Sequence, residues 1–328
     1  MLPVESMREL RAHLTPARRV NLARTPTPIS LLPRLSGLLG TSIYCMRDDQ
    51  TGFGFGGNKI RKLRLVVAHA LAEGADTLVT TGGIQSNHCR ATAAIAAKLG
   101  LRCVIVANGA PQPSPTANAL LDRLLGAEVE YVATREERAP RLQAVAERLA
   151  SEGRRPFVIP LGASTPLGAL AFADAIGELL QQSDAPDVIV HATSSGGTQA
   201  GLAAGCALHG LKTRVLGISA DDPAASLAAG IRGIVAGMGD LLPFDAARLA
   251  ASLAVEVDDG FVGGGYGMAT NASSEAQQLA ARTEALFVDH TYTAKALAGL
   301  IASLRAGRFA AARTVLFWHT GGQVGLFA

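Results

Sequence analysis

T77-L-V-T-T-G-G-I-Q-S-N-H-C-R-A-T-A-A-I-A-A-K-L99 passes without a break from a β-branched core through a Gly-rich polar turn into an Ala-rich segment of helical period. TLVTT (77–81) predicts a strand, and the spacing of small and apolar residues after the turn predicts a helix over about 87–99. The same unit recurs on both sides. CVIVA (103–107) precedes a helix near 116–125, VEYVA (129–133) one over 135–151, and PFVIP (156–160), DVIVHAT (187–193), TRVLGIS (213–219) and RTVLFWH (313–319) continue the series. Strands alternating with helices imply parallel sheets covered by helices on both faces. No repeat of fixed period is visible, and ANGAPQPSPTA (107–117) reads as a loop from its proline and polar content.

The Gly-rich TGFGFGGN (51–58) and PLGASTPLG (160–168) are the expected crossings between two lobes. Residues 61–168 would form the smaller domain, with 1–60 and 169–328 forming the larger and the active site lying in the cleft between them.

With 328 residues, 48% of them hydrophobic, the chain can bury a large core without a metal or disulfide staple. Apolar stretches are broken by polar residues well short of the roughly 20 positions a membrane span requires, so no membrane partner is expected. The start, MLPVESMREL, carries Glu5 and Glu9 and lacks an apolar signal core, which predicts a cytoplasmic protein. Cys45, Cys89, Cys103 and Cys206 show neither CxxC pairing nor metal-ligand spacing, as suits reduced thiols, and no metal is expected. A net charge of +3, with basic residues in short clusters lacking interleaved aromatics, argues against a nucleic-acid partner.

Several turns carry chemistry. R47-D-D-Q-T-G-F-G-F-G-G-N-K-I-R-K62 leads from an apparent strand into a helix beginning near Lys59. A lysine must lose its proton before forming an imine, and burial near a helix N-terminus and a second cation, here Lys62, lowers its pKa. Taken alone, a lysine opening a helix is more often exposed. Gly52, Gly54 and Gly57 also spell G-x-G-x-x-G, but the acidic residue of a dinucleotide site is missing from the end of the following strand. Asn58 and Ile60 likewise break the phosphate-loop pattern.

Gln85, Ser86 and Asn87 fall at the C-terminal edge of a parallel sheet, where free amides at a helix start would hold a carboxylate; the bland reading is a capping turn with Ser86 or Asn87 at the N-cap. V190-H-A-T-S-S-G-G-T-Q-A-G201 offers backbone N–H groups and the hydroxyls of Ser194, Ser195 and Thr198, a neutral nest for a phosphomonoester. G263-G-G-Y-G267, D289-H-T-Y-T-A-K295 and H319-T-G-G322 place polar or aromatic side chains beside glycines, although Tyr266 and Tyr292 read equally as core tyrosines and His319 as a strand-end histidine.

R47-D-D, G56-G-N-K-I-R-K-L63 and Q85-S-N-H-C-R90, followed in order by the later turns, resemble the fold-type-II pyridoxal-phosphate enzymes. The resemblance is to the family containing 1-aminocyclopropane-1-carboxylate deaminase, D-cysteine desulfhydrase and L-cysteate sulfo-lyase, and runs from about Thr25 to Phe327. It implies two open, twisted, mainly parallel sheets flanked by helices, a tryptophan synthase β-like α/β fold. By the resemblance Lys59 would hold pyridoxal 5'-phosphate covalently and act as a base. Asn87 would bond the ring hydroxyl, and Lys62 with Ser195, Gly196, Gly197 and Thr198 would bind the phosphate. Ser86 would face the substrate carboxylate or move a proton, within a substrate-binding set of Gln85, Ser86, Asn87, His88, Thr320 and Gly321. Tyr266 and Tyr292 would line the reacting carbons. Ring-opening members of the family look like Y-E-G-K and H-L-G-G where this chain has Y292-T-A-K295 and H319-T-G-G322. Thr293 and Thr320, neutral hydroxyls near the pyridine nitrogen, therefore resemble the desulfhydrase branch and favour simple β-elimination. Ala91, His290 and Thr291 depart from the family pattern. The resemblance thus implies a lyase eliminating a Cβ substituent from a small amino acid such as D-cysteine, in a homodimer or larger assembly. Ring-opening deamination, loss of sulfite from L-cysteate and a non-catalytic ligand-binding relative are the alternatives.

Overall fold

The computed structural model describes residues 12, 20 and 22–328; Glu5 and Glu9, which bear on the expectation about the start of the chain, lie outside the described residues. An opening hairpin-like unit consists of β1 (Ile29–Leu31), α1 (Pro33–Leu39) and β2 (Ser42–Arg47), after which the Gly-rich loop enters α2 (Asn58–Ala72). Next come β3 (Thr77–Gly83), α3 (Asn87–Leu99), β4 (Arg102–Asn108), α4 (Ala117–Leu124), β5 (Glu128–Val132), α5 (Arg138–Ser151) and β6 (Pro156–Ile159). The remainder runs α6 (Pro166–Leu180), β7 (Val188–Thr193), α7 (Gly197–Leu208), β8 (Arg214–Ser219), α8 (Ala224–Ala236), α9 (Ala246–Ser252), β9 (Glu256–Asp258), α10 (Asn271–Glu284), α11 (Thr293–Arg305) and β10 (Thr314–His319).

Two sheets result. One has six strands in the order β1-β2-β10-β7-β8-β9, and the other four in the order β5-β4-β3-β6. Every pairing is parallel except β1 with β2. β7 is buried at every position because helices cover both faces of its sheet, which explains why its sequence is a continuous apolar run rather than an alternating one. Parallel pairing also gathers strand ends: His319 lies in register with Arg47, Thr193 with Ser219 and Gly83 with Asn108. The turns after Arg47, Gly83, Thr193 and His319 leave from these ends, whereas residues 263–267 and 289–292 lie before helices α10 and α11.

One apolar cluster runs from Ile60 and Val67 of α2 and Leu78 and Ile105 of the smaller sheet to Ala169 and Leu170 of α6 and Ala200 of α7. The expected crossings at 60/61 and 168/169 fall inside α2 and α6, and these helices pack on each other.

Asp48 explains part of the opening motif. Its fully buried carboxylate accepts from Arg61 Nε at 2.8 Å, Thr27 Oγ1 at 3.0 Å and Trp318 Nε1 at 2.9 Å, while Arg61 Nη1 reaches Glu178 at 2.8 Å. Strand β10, helix α2 and helix α6 are thereby tied to the end of β2.

The helix expected over 135–151 begins at Arg138. Proline lacks an N–H and is tolerated only in a helix's first turn, where none is needed. Starting at Arg138 places Pro140 in that turn. All four cysteines are free and buried, and burial raises their thiols' pKa values. No helix among the described residues is long and apolar enough to cross a membrane.

Candidate active site

A cavity of about 450 Å³ opens between the strand ends of the two sheets. Lys59, Gln85, Ser86, Asn87, His88, Ser195, Gly196, Thr198, Tyr266, Tyr292, Thr320 and Gly321 line it, so most of the residues singled out in the sequence meet at one place. Lys62, Gly197 and Thr293 stand behind its wall.

Lys59 is the second residue of α2, and burial lowers its amine pKa to about 8. Asn58 fixes the lysine's approach: its backbone N–H donates to Thr320 O and its side-chain amide to Thr198 Oγ1, both at 3.0 Å. The turn ending β10 thus presses on the helix start. A Cβ on Gly321, whose φ is +95°, would lie 2.7 Å from Gly57 Cα, so only glycine permits this approach. His319 orders the same turn by accepting from Gly321 N–H at Nδ1, while Nε2 donates to Phe287 O.

At the start of α7, Gly196 adopts φ +77°, which turns the chain so that backbone N–H groups and hydroxyls converge. Ser164 completes this nest. Its hydroxyl accepts from Lys62 Nζ at 3.1 Å and Gly197 N–H at 3.2 Å, and therefore donates to Ser195 Oγ at 2.7 Å, leaving the Ser195 proton for a ligand. Lys62 reaches the turn through Ser164 rather than lining the cavity as the sequence suggested. Burial, with Lys59 second, holds its amine well below the usual lysine range. Ser164 was not singled out, because PLGASTPLG carries the ordinary composition of a crossing loop.

Ser86 is the N-cap of α3, its hydroxyl oxygen accepting from Cys89 N–H at 3.3 Å with its own proton left to donate. The capping reading of the Q-S-N turn is thereby met by Ser86. Gln85 differs: its amide donates to Thr116 O and accepts from Asn118 N–H, which fastens the turn to α4. Asn118 also donates from Nδ2 to Asn87 Oδ1 at 3.0 Å, so the Asn87 amide nitrogen is turned free. Nothing in the loop-like sequence before Asn118 marked it.

His88 is neutral, its pKa pushed far down by burial and then by Lys59 and Lys62. Thr80 Oγ1 donates to Ile159 O and so accepts from His88 Nε2 at 2.8 Å; this leaves Nδ1 a buried acceptor without a partner among the described residues. Thr193 Oγ1, at the cavity wall, is likewise buried and unpaired among them.

Opposite, Tyr266 and Tyr292 share a hydroxyl–hydroxyl bond of 2.5 Å with their rings edge to face. Burial raises Tyr266 to about 12 and holds Tyr292 well above the usual phenol range, so both keep their protons at neutral pH. Lys295 positions Tyr266 by donating from Nζ to Ala220 O, Val262 O and Gly265 O at 2.8–3.1 Å.

The Thr293 hydroxyl does not face the cavity. It is fully buried and donates to Asp289 Oδ1 at 2.7 Å, while Asp289 caps α11 by accepting from the N–H groups of Thr291, Tyr292 and Thr293. Cap geometry thus claims the side chain expected near the pyridine nitrogen, and Thr320 alone of that pair lines the site.

A carbonyl-reactive amine, a phosphomonoester nest and an oriented amide, with unpaired polar atoms at His88 and Thr193, fit pyridoxal phosphate. The amine suits its aldehyde, the α7 turn its phosphate, and Asn87 its ring hydroxyl. No cluster able to hold a metal ion occurs among the described residues. Fold and site together fit an α/β enzyme built around pyridoxal phosphate.

Residues 20–321 match the family described as pyridoxal-phosphate dependent enzyme, and the chain belongs to that family. It is 39% identical over 324 residues to D-cysteine desulfhydrases of Salmonella typhi and Salmonella enteritidis PT4, covering 96% of this chain and 97% of each relative. A crystal structure of an ACC deaminase homologue superposes with a TM-score of 0.86 at 35% identity, covering 97% of this chain and 96% of that one. A threonine deaminase from T.th., at 23% identity and a TM-score of 0.70, shares the fold and covers 96% of this chain and 97% of that one. The protein is a pyridoxal-phosphate-dependent lyase.

Proposed function

We propose that the chain performs β-elimination on a small amino acid, with D-cysteine the leading substrate and pyruvate, ammonia and sulfide the products. What carries this reading is the shared cavity: a low-pKa amine, Lys59, and a pair of protonated phenols, Tyr266 and Tyr292. Elimination requires a base at Cα and an acid at the leaving group. The bound cofactor supplies an electron sink for the charge that develops at Cα. Lys59 removes the Cα proton. The Tyr292–Tyr266 pair delivers a proton to the departing sulfur, and Ser86 with the free amides of the Q-S-N turn holds the carboxylate. Asn87 orients the ring, and Ser195, Gly196 and Thr198, backed by Ser164, Gly197 and Lys62, hold the phosphate. His88, Gln85 and Gly321 shape the substrate side, and Thr320 takes the hydroxyl role beside the pyridine nitrogen first given to it together with Thr293. Residues 1–60 and 169–328 act as the larger domain and 61–168 as the smaller, in a cytoplasmic homodimer.

The D-cysteine desulfhydrase activity of the relatives and the 39% identity support this substrate. The test is keto-acid release from D-cysteine, β-chloro-alanine and the cyclopropane amino acid by the wild type and Lys59→Ala. Pyruvate and sulfide from D-cysteine, lost together with the cofactor's visible absorbance in the variant, are expected. Turnover retained by Lys59→Ala would sink the assignment of the lysine, and 2-oxobutanoate from the cyclopropane substrate would favour ring opening instead.

A further inference from the structure

The first turn of a helix is a poor place for a buried cation, because the positive end of the dipole opposes it and burial strips its water. Lys295 is such a cation, the third residue of α11 and fully buried. Burial lowers its pKa, and the carboxylates of Asp221 and Asp289 oppose that shift. Its partners explain how the charge is held. Nζ donates to Ala220 O at 3.1 Å, Val262 O at 2.8 Å and Gly265 O at 2.9 Å. Three acceptors require three N–H donors, which only the ammonium form carries.

The three carbonyls belong to two other segments: Ala220 follows β8, and Val262 and Gly265 lie between β9 and α10. Carbonyl dipoles converging with their negative ends inward repel one another unless a cation lies among them, and backbone carbonyls so arranged can replace the water around a monovalent ion. The loop is shaped for that convergence. Gly265 adopts φ +125°, and a Cβ there would meet nothing within 4 Å, so glycine serves the direction of the backbone and not its packing. The next residue is Tyr266, whose hydroxyl meets that of Tyr292 at the cavity.

We infer that Ala220 O, Val262 O and Gly265 O form a monovalent-cation site that Lys295 fills with its own ammonium, so that the loop bearing Tyr266 is ordered without a free ion, and loss of the lysine side chain makes that order depend on potassium. Potassium suits the cage because it is close to ammonium in size and accepts neutral oxygens, whereas a divalent ion draws carboxylates. The cage itself does not depend on the substrate. Its effect on turnover, exerted through the position of Tyr266, rests on the elimination reading.

The experiment compares the holoenzyme of the wild type, Lys295→Ala and Lys295→Met in potassium chloride and in tetramethylammonium chloride at equal ionic strength, the second cation being too large for the cage. Keto-acid release from D-cysteine, the thermal midpoint and amide exchange over residues 262–267 are recorded in each salt. The wild type should behave alike in both. In tetramethylammonium, Lys295→Ala should lose about tenfold or more in kcat, as displacement of a catalytic group does. Potassium should restore most of that loss along a saturable curve, slow the loop's exchange and raise the midpoint, because an ion bound only by the folded state stabilises it. Lys295→Met keeps a chain of similar length in the space and should gain nothing from potassium. A Lys295→Ala protein with the same midpoint and exchange in both salts, one unfolded in both included, overturns the inference, as does a wild type that itself needs potassium. Midpoint and exchange read the cage without substrate. Absence of keto acid from the wild type would therefore defeat the elimination reading, while the response of the variant's loop to potassium still decides the cation site.

Discussion

Asn118 touches no cavity surface, yet it sets what Asn87 presents there. By donating to Asn87 Oδ1 it leaves the Asn87 Nδ2 protons for an oxygen acceptor, and by donating to Gln85 O it holds the preceding turn. Asn118→Ala removes both bonds, and one net hydrogen bond of about 1 kcal/mol corresponds to roughly fivefold in affinity. The cofactor Kd of the apoprotein, titrated by absorbance, should rise by that factor or more; an unchanged Kd would show that Asn87 needs no such support. Lys59 makes a pH prediction at the same scale. Burial disfavours its ammonium form, so the neutral amine that attacks a carbonyl predominates above about pH 8. The rate of cofactor capture by the apoprotein should rise with pH and level off above about 8, whereas a rate still climbing toward the ordinary lysine pKa would mean that the amine is solvated. Lys59 was legible in the sequence because it sits in a motif. Asn118 was not, since its role arises from α4 lying against the α3 start.

Among the elements, α11 and the loop before α10 form the wall that carries the two phenols. Lys295, in the first turn of α11, gathers the carbonyls of Ala220, Val262 and Gly265 around one ammonium. Lys295→Met removes the cation these three acceptors share, a loss of about 2–3 kcal/mol after the loop relaxes toward water. Amide exchange over residues 262–267 should accelerate and kcat should fall with Tyr266 displaced; exchange as slow as in the wild type would show that the loop holds itself. The helix period predicted α3 at its observed bounds, Asn87–Leu99, because Ser86 gives a side-chain cap and Gly100 a left-handed stop. It misplaced the start of α5, where Pro140 rather than the apolar period decides. The family resemblance put Thr293 in the site, although the residue closes the Asp289 cap of α11 and faces inward.

Across the whole molecule, Asp48 and Arg61 join the parts that the site needs in register. Both are almost wholly buried, and the carboxylate serves Arg61, Thr27 and Trp318 at once. Asp48→Ala strands a buried guanidinium with Glu178 as its remaining acidic partner, at a cost of about 3 kcal/mol. The denaturant midpoint should fall with little change in slope. A midpoint equal to that of the wild type would show that Glu178 alone suffices. In the sequence, R-D-D and K-I-R-K read as one motif, and the structure separates its work: Lys59 faces the cavity, while Asp48 and Arg61 fasten β2, β10, α2 and α6 behind it.

Local sequence by itself determined the alternation of strands and helices, the parallel sheets and the glycine-rich turns at their ends, because hydrophobic period, capping residues and glycine conformations act over a few neighbouring residues. Tertiary structure alone decided that Ser164 would sit between Lys62 and the α7 turn, that Asn118 would orient Asn87, and that Thr293 would be buried. Each of these depends on which side chains from distant segments arrive within hydrogen-bonding range.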